Sequence, residues 1–454
     1  MNLLDLPTEI LEQIASECDE NRDRSDLRSL SLTSQRLRDI AQPVLFGSFY
    51  NTILKGGDNL IPYTKQVLAH PDLALRVHRL EYDPEEGHLS MYKKEHALPL
   101  DELVPLVKET DLAPEWDRDE WLKDLRNGEG YAYLLLLASR ARNIHSLTIN
   151  MGLDGFEGLD PLFTRNAGPK SPYLGNCRDL IIQDFKDHAL RGERMENLSK
   201  FIQLPTLRYL RFHGFTCKHQ TAKFDDLVPQ SSIISEILFY RSIVDTDRTK
   251  DLAMTCRSLK TFVFTGDPQR PRSHEDDHMR ADEKQFHSSE VPYILQSHKN
   301  TLKTLILDLD PGNATRNSTI QDIPRISTLA DFTQLTFLSI EEFAMPRFVE
   351  NLPSSLTHLV LVWCSTRIVE ILEDLKRACR THLTSLKYVR LECTYQGNVI
   401  CVREALRTGN KCLPLIAADD ILQYLRTICM DAPFKLRISP YRCEAPAPAR
   451  PVID

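Results

Sequence analysis

The chain has 454 residues, 42% hydrophobic and 26% charged, which is the balance of a folded globular protein and not of a disordered one. Its 17 glycines exclude collagen-like and glycine-linker architectures. A formal net charge of −8 provides no global basic field for nucleic acid, so no nucleic-acid partner is expected; a local basic patch stays compatible with that balance.

The start of the chain is not expected to be a targeting segment. Asp5, Glu9 and Glu12 interrupt the stretch where a signal peptide needs a basic start and an apolar run. The longest apolar run, Tyr131–Ala138, is far shorter than the roughly 20 residues of a membrane helix, so no membrane partner is expected. The 11 cysteines are odd in number and contain no C-x-x-C pair. They read as reduced, buried thiols of a cytoplasmic or nuclear protein, not as a disulfide frame or zinc ribbon.

Residues 1–50 are helical in pattern. Leu6-Pro7-Thr8-Glu9-Ile10 opens a first helix, with Pro7 suited to its first position. Ile10, Leu11, Ile14, Ala15 and Cys18 then form one apolar stripe. After a polar break at Asp19–Asp23, Ser25 or Asp26 caps a second helix carrying Leu27, Leu30 and Leu32. Ser34 caps a third, with Leu37, Ile40 and Ala41, and Pro43 is expected to stop it. Three short helices make a thin core, which normally gains stability by packing on a partner or on the next domain.

The run Leu6-Pro7-x-Glu9-Ile10-(x3)-Ile14, then Asp26-Leu27-x-Ser29-Leu30-x-Leu32-x-Ser34-x-x-Leu37-Arg38, then Pro43-Val44-Leu45-Phe46, resembles an F-box. The tryptophan many F-boxes carry near the end of the motif is missing here. The resemblance implies docking onto the Skp-type adaptor and cullin core of a ubiquitin ligase. Carried over, Leu6, Pro7, Ile10, Leu30 and Leu32 would form the adaptor-binding face. The alternative is a generic three-helix bundle whose apolar residues face only their own core.

After a helical linker expected over 51–75, an apolar-x-x-apolar-x-apolar triplet recurs ten times. It reads Val77/Leu80/Tyr82, Ile144/Leu147/Ile149, Cys177/Leu180/Ile182, Leu207/Leu210/Phe212 and Ile234/Ile237/Phe239. It continues as Leu259/Phe262/Phe264, Leu302/Leu305/Leu307, Leu335/Leu338/Ile340, Leu356/Leu359/Leu361 and Leu386/Val389/Leu391. Most intervals are about 20 to 35 residues, near the length of a leucine-rich repeat. Each triplet predicts a strand with one inward face, followed by a return segment, as at Ile368–Cys379. One such unit cannot bury its own face, so an irregular leucine-rich-repeat-like solenoid with a parallel sheet is expected over 76–440. The long gap after Leu80 holds helical material (Leu100–Glu109, Arg118–Arg126, Tyr131–Ala141), read either as an insertion or as a repeat with a hidden strand. A polar loop is expected near 266–292 and a disordered tail over 441–454. The Asn/Cys that should follow each strand is nearly absent, with only Cys364 in that place, so no asparagine ladder is expected. His70-Pro71-Asp72-Leu73-Ala74-x-x-Val77-x-x-Leu80 and Tyr133–Ala138 further resemble fungal F-box proteins. The competing fold is a leucine-rich, doubly wound α/β protein, which no glycine-rich phosphate loop supports.

Residues alternating with the buried triplets are candidates for a target-binding concave face: Tyr209, Arg211, Leu238, Tyr240, Ile306, Phe337, Val360 and Tyr388. Their apolar character fits two readings, a partner surface or strands covered on both faces.

No motif points to catalysis. His274-Glu275-Asp276-Asp277-His278 fits the H-E-x-x-H pattern of zinc peptidases, but it lies in a polar run without an apolar stripe to fix a zinc helix. Gly152-x-x-Gly155-x-x-Gly158 is interleaved with Asp154, Glu157 and Asp160, which would repel phosphate. Trp116 and Trp121 read as helix-packing anchors. The expectation is therefore a non-catalytic adaptor without metal or cofactor, binding an unknown target protein through the repeats. The alternatives are an F-box scaffold outside ubiquitination and a zinc hydrolase using the His274 region.

Overall fold

The computed structural model describes residues 3–19, 25–50, 60–82, 98–110, 117–150, 173–183, 193–215, 227–242, 244–266, 286–308, 325–362, 364, 368–393, 395–396, 399–400 and 418–440. They are mixed α/β and divide into two units, Met1–Ile233 and Ile234–Asp454.

The first unit opens with a 3-10 turn at Leu3–Asp5, then α1 (Thr8–Asp19), α2 (Ser25–Thr33) and α3 (Gln35–Gly47). The Ser34 hydroxyl accepts from the Leu37 N–H at 3.2 Å and starts α3 as expected. Pro43 does not stop it. The helix runs through the proline to Gly47, because Val44 and Leu45 beyond it still pack against the buried Leu11, Ala15, Leu27, Leu37 and Ala41. That packing offsets the one backbone hydrogen bond a proline forfeits.

From Gly47 the chain passes directly into β1 (Ser48–Tyr50), a strand with no triplet to announce it. Then follow α4 (Leu60–Ala69), α5 (Pro71–Ala74), β2 (Arg79–Tyr82), α6 (Leu100–Glu109), α7 (Arg118–Asn127), α8 (Gly130–Arg140), β3 (Ser146–Asn150), β4 (Asp179–Gln183), α9 (Glu193–Ile202) and β5 (Tyr209–His213). All five strands run parallel, each bonded to the next in chain order. The expected boundary between 75 and 76 thus falls between β1 and β2, which are hydrogen-bonded neighbours. Because β2 pairs directly with β3, no strand stands between them in the sheet, and among the described residues α6, α7 and α8 lie in this crossover. Apolar almost all round, α8 is correspondingly buried along nearly its whole length. Trp121 is fully buried and donates its indole N–H to the Ala132 carbonyl at 3.2 Å.

The second unit contains β6 (Glu236–Tyr240), α10 (Thr246–Thr255), β7 (Thr261–Thr265), α11 (Val291–Ile294), β8 (Thr304–Asp308), β9 (Phe337–Glu341), β10 (His358–Val362), α12 (Ile368–Ala378) and β11 (Tyr388–Cys393). A short antiparallel pair, β12 (Tyr395–Gln396) and β13 (Val399–Ile400), precedes α13 (Ala418–Ile428) and β14 (Lys435–Pro440). Strands β6 to β11 are again parallel and in chain order, and β14 pairs with β11. The expected polar loop is shorter than 266–292. Phe286 is buried against the Phe264 ring at 4.3 Å, and a 3-10 turn and α11 follow it.

The core sits where the triplets place it. Every residue of the ten triplets is buried, and the most exposed, Tyr82, is only 6% accessible. A side-chain ladder does exist, but it lies ahead of the strands. In the first unit, the Asn143 amide donates to the Leu75 carbonyl at 2.7 Å, Asn176 to Arg142 at 3.0 Å, and the Thr206 hydroxyl to Cys177 at 2.8 Å. In the second, Thr301 donates to Leu259 at 2.9 Å and Ser355 to Leu335 at 2.8 Å. Each such bond contributes about 1 kcal/mol and pins one strand entry to the preceding one.

Candidate functional site

Two surfaces carry the residues singled out from the sequence. At the start of the chain, Leu6 and Leu30 pack partly into the core of α1–α3, so they belong first to the bundle itself. Pro7 is exposed, Ile10 is 42% accessible and Leu32 is 77% accessible. Exposed large aliphatics cost solvation unless a partner covers them. Arg36 holds this region in shape, which the sequence alone did not reveal. Its guanidinium donates to the carbonyls of Leu4 at 2.5 Å and Leu6 at 3.0 Å, and reaches the Thr8 hydroxyl at 3.4 Å. A basic residue in the first turn of α3, opposite a 3-10 turn with open carbonyls, was the available signal.

The bundle is fixed to the strand array of its own unit. The Tyr63 hydroxyl on α4 donates to the Phe46 carbonyl at 2.6 Å, and its ring lies 5.7 Å from Phe46 and 4.8 Å from Phe49. Gly47 leaves room at the junction for the His78 side chain. A Cβ there would come within 2.6 Å of the His78 ring.

On the strands, Tyr209 and Arg211 lie on β5, both half-buried. Arg211 faces Asp179 of β4 at 3.6 Å. Burial raises the Asp179 carboxyl above its ordinary pKa, while Arg211 and Arg79 pull it back down. In the second unit, Tyr240 and Ile306 are half-buried. Leu238 and Val360 are buried, at 7% and 9%, beside Val263 and Arg390 of the adjoining strands. Flanked by these in-register neighbours, the two side chains offer little contact surface of their own.

Phe337 and Tyr388 are brought together through His358, a residue missing from the sequence-derived set. The three occupy the first position of β9, β10 and β11, in register. Ring centroids are 6.2 Å apart for Phe337–His358 and 4.7 Å for His358–Tyr388, and the Lys435 ammonium on β14 lies 6.0 Å from the Tyr388 ring. His358 and Tyr388 are exposed. This aromatic row ends on a cation.

The chain matches no protein-family model, and no curated protein matches it either.

No group of three or more His, Cys, Asp or Glu capable of holding a metal occurs among the described residues, and the His274–His278 segment lies outside them. Burial pushes the Cys177 and Cys256 thiols up to about 12, which leaves them protonated and poorly nucleophilic at neutral pH. Among the described residues no helix is long and apolar enough to cross a membrane.

Proposed function

We propose that this chain is a non-catalytic, F-box-type adaptor of a ubiquitin ligase. Helices α1–α3 hold a Skp-type adaptor subunit, and a leucine-rich-repeat-like solenoid captures the protein to be modified. The observation that carries this reading is the pairing of two features in one chain. A small helical bundle leaves Pro7, Ile10 and Leu32 in solvent, and parallel strands in chain order follow it. A few desolvated aliphatic anchors dominate the energy of such an interface. The direct passage from α3 into β1 makes the bundle a rigid extension of the strands of its unit. Rigid attachment suits a mechanism of proximity, in which tethering raises the effective concentration of target lysines near the charged ubiquitin carrier.

Binding of a purified Skp-type adaptor to the full-length chain tests the reading. Wild type is expected to bind, and Ile10→Asp/Leu32→Asp to lose binding while melting normally. A wild type that does not bind, or a double variant that binds undiminished, overturns it.

A further inference from the structure

The residue entering each of four consecutive strands in the first unit is basic or a histidine: His78 before β2, His145 before β3, Arg178 before β4 and Arg208 before β5. All four are exposed. Backbone bonds hold them in one row: His145 N–H donates to the His78 carbonyl, Arg178 to His145 and Arg208 to Arg178, each at 2.8 Å. At β1 the equivalent place is Gly47, whose carbonyl accepts from His78 N–H at 2.7 Å, so the row begins at β2. With adjacent strands about 4.8 Å apart, it spans about 14 Å. Exposed Arg76 and Arg142 add charge beside His78 and His145. Across the strand-entry segments 70–79, 140–146, 173–179 and 203–209 the only acids are Asp72 and Asp179, and Asp179 is turned towards Arg211.

The backbone beneath the row is fixed. The Leu75 and Arg142 carbonyls are held by Asn143 and Asn176, the Cys177 carbonyl by Thr206, and the Arg76 carbonyl by His78 Nδ1 at 3.0 Å. Partial burial, and then the nearby Arg178 and His78, hold His145 below its ordinary pKa, so the arginines carry the charge of the row and His145 adds a hydrogen-bonding ring. Such a concentration of positive charge contrasts with a chain of net charge −8.

We propose that this ridge docks a short, extended, anionic peptide segment, carboxylate-rich or phosphorylated, of the protein captured by the strands. The inference rests on reading the chain as a receptor for another protein. Length selects the occupant: about 14 Å accommodates four or five extended residues at about 3.3 Å each. A nucleic-acid strand or an anionic vesicle would extend past the row onto a chain whose net charge is −8.

Fluorescence anisotropy on the full-length protein tests this, using a labelled Glu/Gly octapeptide, its Gln/Gly counterpart, a phosphoserine/Gly octapeptide and an oligothymidylate of equal charge. The two anionic peptides are expected to bind and the Gln peptide not to bind. Arg178→Gln/Arg208→Gln should weaken binding about tenfold or more, and added salt should weaken it too. Arg178→Lys/Arg208→Lys should retain most of it, and Arg437→Gln on β14 all of it. Preference for phosphoserine assigns the ligand as phosphate, and equal binding assigns it as carboxylate. Undiminished binding by the Gln double variant, equal binding of the Gln peptide, or tighter binding of the oligothymidylate overturns the ridge. Adaptor binding measured on the same samples separates the two proposals. Adaptor bound with no anionic peptide bound removes the ridge alone; peptide bound with no adaptor bound removes the adaptor reading alone.

Discussion

In the strand arrays every Leu, Ile, Val and Phe of the repeating triplets is buried, whereas in α1–α3 the aliphatic residues are divided between a small core and open solvent. The difference follows from geometry. A strand flanked by two others hands its inward face to neighbours that carry the same triplet, so nothing apolar is left over. Three short helices enclose only one stripe, and apolar side chains around its margin stay wet. A Leu in the strand arrays is therefore a stability residue, while a Leu on the bundle margin is free of that role and under the proposed function serves an interface, although both look alike in the sequence.

The largest expected effect tests that division directly. Leu338→Ala should cost about 2–5 kcal/mol in urea unfolding, because the site is fully enclosed and leaves a cavity. Leu32→Ala should stay within about 0.5 kcal/mol, as an exposed substitution. Comparable losses for the two would erase the distinction between the regions.

Next in size is Arg36→Ala. It removes charged donors from the Leu4 and Leu6 carbonyls, and water replaces them only in part. A loss of about 1 kcal/mol is expected in thermal melts, together with weaker Skp-type adaptor binding, because the turn carrying Pro7 loses its anchor. Weaker stability with unchanged adaptor affinity would show that this turn lies outside the interface.

These tests also mark how far the sequence could be read. The triplets located all ten strands because burial on one face imposes a period of two that is hard to mistake, as in Leu210/Phe212. Ser48–Tyr50 and Lys435–Pro440 escaped because each is a strand with a neighbour on one side only, and neither carries the full triplet. The polar ladder of Asn143, Asn176 and Thr206 escaped for another reason. It pins strand entries, whereas the asparagine of a leucine-rich repeat follows the strand. A lone histidine on a strand carries no sequence signal, and only register places His358 between Phe337 and Tyr388. Alternation alone does not show how far Leu238 and Val360 sink between their in-register neighbours.

The smallest expected effect concerns an exception inside the strand region's apolar core. His298 is buried in the second unit, with Nε2–H donating to the Ala253 carbonyl at 2.7 Å and Nδ1 accepting from the Leu259 N–H at 3.3 Å. That pattern requires the neutral ring, and burial lowers its pKa despite the opposing bond to Ala253. Because the folded pKa lies below the unfolded value, the unfolded chain takes up the proton first as pH falls. The contribution of His298 is fully present above the ordinary histidine pKa and is lost as pH drops through the lowered one. His298→Gln keeps one donor and one acceptor but cannot titrate. Between about pH 7 and pH 5, the wild-type melting temperature should therefore fall more steeply than that of the variant, measured in one buffer series. Parallel slopes would show that protonation does not disturb the contacts to Ala253 and Leu259, and that the apolar core tolerates a charge it is expected to reject.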